Sequence, residues 1–435
     1  MNKKLIALAV ASLISVPAFA AGSEVQLYGM LDAGVDNATN VGGTSTAPST
    51  NNVGRVSDYG SYFGLKGSED LSNGLSGIWQ IEQGVSVNGG NTNNANGGAS
   101  AVNGSQNAFG ANPYNNQRNT FVGLSSQTAG TVLVGIHDTP YKMSTAQMDP
   151  FADTLGDYNG LVGSFGGAGS AGTGTLGGAG ASGYFDLRPS QVLAYVSPNM
   201  NGLTVVGAYV FGNATNVGAP GVSTPITNSA GNAYANNSTG DAYSLAAMYT
   251  AGPLYLTASY EQHDFGAGSG SLGGPNYLSG GLGAMPNLAN ESNSAYKLGA
   301  AYSIMDTTLS VLYENSSDNF GPNGANLLGH DTWYVSAKHT MGAWDIALAY
   351  ANAGSDNTNG GLVGLNNAST GAQQWTIGGD YNFSKNTQIY ALYTEISNDA
   401  GSMYNFADTT NPVVFGSAIG GANISAVSLG IKHTF

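Results

Sequence analysis

The residues of this chain that could do chemistry are five histidines, 26 acids and 11 bases, with no cysteine at all. A hydrolytic triad needs a nucleophile, a histidine and an orienting acid brought together. His339 and His433 fall on apolar rows, His263 and His330 lie near connecting stretches, and no G-x-S-x-G elbow is present. The absence of cysteine excludes disulfide staples and thiolate metal sites. What remains is electrostatic. Asp138, Asp149, Asp153 and Asp157 crowd one connecting stretch that His137 borders, while Lys66 and Arg118 sit in alternating segments. Carboxylates of this kind either bind Ca²⁺ together with carbonyls or serve as structural acids. There is no EF-hand spacing, which favours the structural reading, and nothing points to a nucleotide, a redox group or any other cofactor. The formal charge of −15 argues against nucleic acid as a partner.

The elements that position these residues alternate with period two. From Val427 the odd positions are Val427, Leu429, Ile431, His433 and Phe435, and the even ones are Ser428, Gly430, Lys432 and Thr434. Near the other end Val25, Leu27, Leu31, Ala33 and Val35 alternate with Gln26, Tyr28, Asp32 and Asp36. Two terminal strands of this type that pair with each other close a sheet and leave no edge. Further alternating segments cover 25–36, 53–67, 75–87, 118–127, 131–137, 189–197, 202–212, 240–250, 253–264, 293–305, 307–317, 331–341, 343–353, 372–383, 386–397 and 422–435. Short and long connections take turns along this series, which predicts an all-β, transmembrane antiparallel barrel of about sixteen strands. Aromatics bracket several apolar rows, as in Trp344, Ile346, Leu348 and Tyr350, or Trp375, Ile377, Tyr381 and Phe383. They read as interfacial girdles, with small and polar opposite faces lining water.

Only 9% of residues are charged, against about 25% in ordinary soluble domains, and Gly 66 is about twice the usual share. Both fit strands with lipid on one face. Lys3 and Lys4, the apolar run 5–16 and Pro17-Ala18-Phe19-Ala20 predict a cleaved export signal over 1–20, with 21–435 forming the barrel. That apolar run is too short for a spanning helix.

Several stretches, in order, are similar to one family: QLYGMLDAGV (26–35), SYFGLKGSEDLSNGLSGIWQIEQG (61–84), RNTFVGLSS (118–126), GIHDTPYK (135–142), AYVSPNMNGLTVVGAYV (194–210) and the terminal GIKHTF. The chain resembles the general diffusion porins of Gram-negative bacteria, β-proteobacterial branch, over essentially all of 21–435. The resemblance implies a homotrimer in the cell outer membrane, among lipid and lipopolysaccharide, inserted by the barrel-assembly machinery with Phe435 as its signal. It implies a water-filled channel for small hydrophilic solutes and ions, not an enzyme. It also implies an inward third loop, for which 139–187 is the candidate. Wall bases would then face loop acids across a constriction. Carried over by position, that constriction comprises Lys66, Arg118, Tyr62, Asp32, Glu82, Asp138, Lys142, Asp149, Asp153 and Asp157. Alternation puts Arg118 with Thr120, opposite Phe121. Tyr62, Ile136 and Ala146-Gln147 stand where the family has bases, which predicts cation preference, whereas many relatives favour anions. A substrate-specific channel for a sugar or an organic cation is the alternative.

Overall fold

The computed structural model describes residues 24–39, 53–85, 87–88, 118–165, 184–212, 240–265, 290–357, 369–400, 402, 404–407, 421 and 423–435. The expected export signal, most of the long connections and the 166–183 part of the third loop lie outside the described residues.

The strands are β1 (Glu24–Thr39), β2 (Val53–Asp58), β3 (Tyr62–Asp70), β4 (Leu75–Gly84), β5 (Thr120–Ser126), β6 (Gly130–Ile136), β7 (Val192–Val196), β8 (Leu203–Val210), β9 (Asp241–Ala251), β10 (Leu254–Asp264), β11 (Ser292–Ile304), β12 (Thr307–Asp318), β13 (Asp331–Met341), β14 (Trp344–Ala353), β15 (Ala372–Asn382), β16 (Thr387–Asn398) and β17 (Ile424–Thr434). Each pairs antiparallel with its neighbour, and β17 pairs with β1, for example Leu31 with His433 and Val35 with Leu429. The sheet is therefore closed and presents no edge.

β1 pairs along one half with β3 and along the other with β2, so these two strands share one stave and the barrel has sixteen. The expectation of one strand over 53–67 is corrected here, because the stave breaks at Tyr59, Gly60 and Ser61. Local bonds build the break. The Ser61 hydroxyl accepts the Asp32 amide at 2.9 Å, the Asp58 carboxylate accepts the Ser61 amide at 3.2 Å, and Gly60 takes a φ of 74°.

Burial alternates along the staves with the sense inverted relative to a water-soluble protein. Leu245, Leu298, Trp333, Ile377 and Leu429 are exposed, whereas Glu261, Lys297, Glu314, Thr332 and Thr394 on the alternate rows are buried. A closed sheet with an apolar outside satisfies its backbone internally and suits hydrocarbon. Tight turns join the staves at one end. Gly342 and Gly252 supply the positive φ such hairpins need.

The alternate rows are not uniformly small and polar, as a purely water-lined wall would be. Leu312, Tyr334, Leu392 and Ile396 are buried there together with Met148, Phe151, Leu155, Tyr158 and Leu161. The apolar side of the third connection covers these wall residues, which removes about 25 cal/mol from the free energy for every Å² taken from water.

Candidate functional site: the charged wall and the 139–187 connection

The third connection starts with a built turn. Pro140 opens the short helix α1 (Pro140–Thr145), and the Thr139 hydroxyl caps it by accepting the Lys142 amide. The described residues of this connection then hydrogen-bond along the buried rows. The Tyr141 hydroxyl donates to Glu314 at 2.8 Å and the Tyr141 amide to Ser244 at 2.9 Å. Tyr255 donates to the Ser144 carbonyl at 2.6 Å, Tyr334 to Asp149 at 2.8 Å and Ser336 to the Met148 carbonyl at 2.8 Å. Gln374 and Thr376 of β15 reach the Gly156 carbonyl at 3.5 and 3.3 Å. The Lys297 ammonium, fully buried, lies 2.5 Å from Asp186 and 3.7 Å from Glu314, over the Tyr141 ring. A buried charge of this kind needs such partners.

The wall on β1, β3, β4 and β17 carries the other charges. The Arg118 Nε meets Glu82 at 2.5 Å, and its guanidinium lies 4.6 Å over the Tyr62 ring. The Tyr28 hydroxyl donates to the second Glu82 oxygen at 3.0 Å, with the Lys66 ammonium 5.0 Å over the Tyr28 ring. Lys432 pairs with buried Asp32 at 3.0 Å, and Tyr390 donates to the same carboxylate at 2.9 Å. Tyr390 itself lies against Gly430, where a Cβ would collide with its ring, and the facing Gly34 leaves room for the Tyr59 ring.

Alternation does not explain Arg118. β5 begins at Thr120, its Val122 and Leu124 are exposed, and Phe121 packs with the buried Leu133 cluster and against His137. Phe121 therefore faces inward, the reverse of the parity expected. Arg118 reaches Glu82 because it precedes the strand, where its amide also donates to the Glu82 carbonyl at 3.0 Å.

The acids of the connection divide into two sorts. Asp138 is held by Lys142 at 3.2 Å, Arg188 at 3.0 Å and the Asn119 amide at 3.0 Å. Burial alone would push its carboxyl up, but Arg188 and Lys142 together hold it well below the usual range. Asp149 accepts the Phe151 and Tyr158 amides at 2.9 Å each. Burial pushes its carboxyl up to about 6. Asp157 accepts the Asn159 amide at 2.8 Å and the Asp153 amide at 3.0 Å, and burial with the nearby Asp149 charge raises it too. Asp149 and Asp157 thus bond backbone amides of the connection, and Asp138 pairs with Lys142 and Arg188.

Asp153 is different. It is exposed, at a φ of 58°. A Cβ built on Gly60 would stand 3.7 Å from Asp153 Oδ1 and 3.7 Å from Arg118 Nη1. The structure thus brings Asp153 opposite Arg118, with Tyr62, Glu82, Asp32 and Lys432 around them. Lys66 stands apart, beside Tyr28. No group of three or more potential metal ligands occurs among the described residues.

Sequence reasoning did not single out Lys432, Arg188, Lys297, Asp186, Glu314 or Tyr390. Lys432 was legible as an even-numbered position of the last strand. For Lys297 and Glu314 parity gives the face, but only the docked connection gives the partner.

A closed barrel with exposed apolar rows outside and charged groups on the alternate rows defines an outer-membrane β-barrel. A family model described as Gram-negative porin matches residues 7–401, and the chain belongs to that family. The major outer membrane protein P.IB of Neisseria gonorrhoeae is 35% identical over 163 residues, 37% of this chain and 39% of that protein, so the chain matches well under half the length of this curated relative. Its counterpart in Neisseria lactamica is 42% identical over 93 residues, 21% of this chain and 26% of that one. Among solved structures, the anion-selective porin from Comamonas acidovorans superposes with a TM-score of 0.67 at 20% identity, over 95% of this chain and 100% of that one. The trimer form of OmpT from Vibrio cholerae gives 0.58 at 14% identity, over 95% and 100%. At such identities the structural likeness establishes the fold.

Proposed function

We propose that the chain forms a water-filled channel in the outer membrane, through which small hydrophilic solutes and ions diffuse passively, with a preference for cations. The 139–187 connection, folded into the lumen, would set the narrowest point. Its hydrogen bonds to the buried rows of β9–β15 support this reading.

The observation that carries cation preference is the charge pairing at the candidate constriction. Arg118 is matched by Glu82 and Lys432 by Asp32, so the Asp153 carboxylate faces bases that are already paired, while Lys66, which has no ion pair among the described residues, stands apart over the Tyr28 ring. The same holds along the chain. Of the nine bases other than Lys3 and Lys4, seven (Arg55, Arg118, Lys142, Arg188, Lys297, Lys338 and Lys432) have an acid within ion-pairing distance, and the acids number 26. Fixed negative charge in excess enriches cations within a Debye length, ~8 Å at physiological salt.

A homotrimer accords with the exposed Leu27, Leu31, Val35, Leu429 and Ile431 on β1 and β17, an apolar surface suited to a neighbouring copy. The remaining exposed rows would meet lipid and lipopolysaccharide.

The test is a planar bilayer with a tenfold KCl gradient. A reversal potential with the sign of K⁺ preference, shrinking as salt is raised, is expected. A Cl⁻-preferring sign at low salt would overturn the selectivity, and absence of channels would overturn the reading itself.

A further inference from the structure

The turn 151–156 of the connection and the inward row of β15 fit each other large against small, in both directions. The Phe151 ring lies over Gly378, where a Cβ would stand 2.9 Å from Phe151 Cε1. At the preceding inward position of the same strand, the Thr376 methyl reaches over Gly156, where a Cβ would overlap it. The wall thus offers a hole to the turn at one position, and the turn offers a hole to the wall at the next. A slide of one inward position along β15 would set the Phe151 ring on the Thr376 side chain, so the fit also fixes register.

The turn is tied into one body. The Thr154 hydroxyl donates to the Phe151 carbonyl at 2.6 Å and accepts the Gly156 amide at 3.1 Å. The Thr376 hydroxyl in turn holds the Gly156 carbonyl at 3.3 Å. A contact of the same kind lies on β11, where a Cβ on Gly299 would stand 2.7 Å from Met148 Sδ. Phe151 and Leu155 are buried on the wall side of the turn, whereas Asp153 on its other side is exposed.

From this interlock we propose that Gly156, Thr376 and Gly378 are positioning residues that set the free width of the passage. They fix how far the turn stands off β15, and the open cross-section is what remains on its other side. A close-packed contact transmits a displacement rather than absorbing it. Two carbons need about 3.5–4.0 Å between them, so a methyl at position 156 has to push the turn off the wall by about 1 Å or more. Gly156 lies outside the left-handed region, so alanine suits its backbone and only the contact with Thr376 opposes it. Width is then determined on the packed side of the turn, independently of the charges on its exposed side.

The inference rests on the channel reading, and the experiment separates the two. Full-length protein is placed in a planar bilayer. Single-channel KCl conductance is read together with the radius of the smallest neutral polyethylene glycol that is excluded. Gly156→Ala is expected to lower the conductance and to reduce that radius by about 1 Å. Adding Thr376→Ser, which removes the opposing methyl and keeps the hydroxyl, should return both to the wild-type values. Gly299→Ala should act in the same direction but less, because the Met148 thioether yields easily. Gly156→Ala channels of wild-type width would overturn the proposal. Wider and noisier ones would do so too, since the turn would then be unseated rather than advanced. So would a narrowing that Thr376→Ser fails to reverse. If Gly156→Ala alone does not assemble, the other two variants decide. The double variant must then match the wild type and Gly299→Ala must be narrower, and any other result overturns the proposal. A wild-type protein that conducts nothing would instead overturn the channel reading.

Discussion

Gly29 and Phe435 close the barrel. Each amide donates to the other's carbonyl at 3.0 Å, and the terminal ring lies over Gly29, where a Cβ would stand 2.5 Å from the ring edge. The absence of a side chain at position 29 therefore makes room for the last residue of the chain. Gly29→Val should displace the ring and weaken the seam by about 1–3 kcal/mol, the usual cost of overpacking. The check is the temperature at which the folded, fast-migrating band converts to the unfolded one on a gel. An unchanged conversion temperature would show that neither the ring nor the Tyr62 carbonyl, 2.7 Å from the same Cβ, constrains position 29.

The Lys297 ammonium ties the second leg of the connection, through Asp186, to β12, through Glu314. Lys297→Met leaves two buried carboxylates without their cation, and breaking a buried pair in this way costs about 3–5 kcal/mol. The barrel itself should still form, since its own hydrogen bonds are untouched. The connection should loosen, seen as noisier and larger single-channel currents and as faster protease cleavage within 139–187. Quiet currents at the wild-type level would count against Lys297 as its anchor.

Arg118→Ala removes the base that faces Asp153 and frees Glu82 as well. The opening should enlarge and the K⁺ over Cl⁻ preference rise, read from the reversal potential. A shift toward Cl⁻ would mean that Arg118 does not border the permeation path.

Burial raises the Asp149 carboxyl to about 6, above the ordinary carboxylate range of ~4, so the docked connection binds this proton more tightly than an undocked one. Docking should therefore strengthen as pH falls from 7 through 6 and level off below about 4, opposite in sign to a salt-bridged carboxylate. Asp157, raised beside it, works in the same direction. Amide exchange at Phe151 and Tyr158, corrected for intrinsic rate, should slow across that interval. Asp149→Asn should flatten the dependence.

The staves were legible because their signal is local. Lipid on one face enforces a period of two, and the pairing of 25–36 with the last strand follows from alternation at both ends. The break at Gly60 was not legible, since Tyr59, Gly60 and Ser61 continue the alternation; beside the short-range Asp58–Ser61 bond, the hydrogen bonds that make the break involve Asp32, far away in sequence. Among the candidate constriction residues, Glu82, Asp32, Lys66 and Tyr62 keep the inward parity read for them. Asp149 and Asp157 looked like solute-facing charges because composition does not reveal which backbone amides a carboxylate will cap.

The hydrogen-bonding anchors of the 139–165 segment on β9, β10, β12, β13 and β15 all lie later in the chain than the segment they hold. A nascent barrel that has acquired only its first half thus possesses the plug but nowhere to seat it. On the proposed reading, narrowing of the passage would belong to the closing stage of assembly, together with the arrival of the terminal strand, and a chain truncated before β12 would be expected to remain unconstricted as well as unsealed.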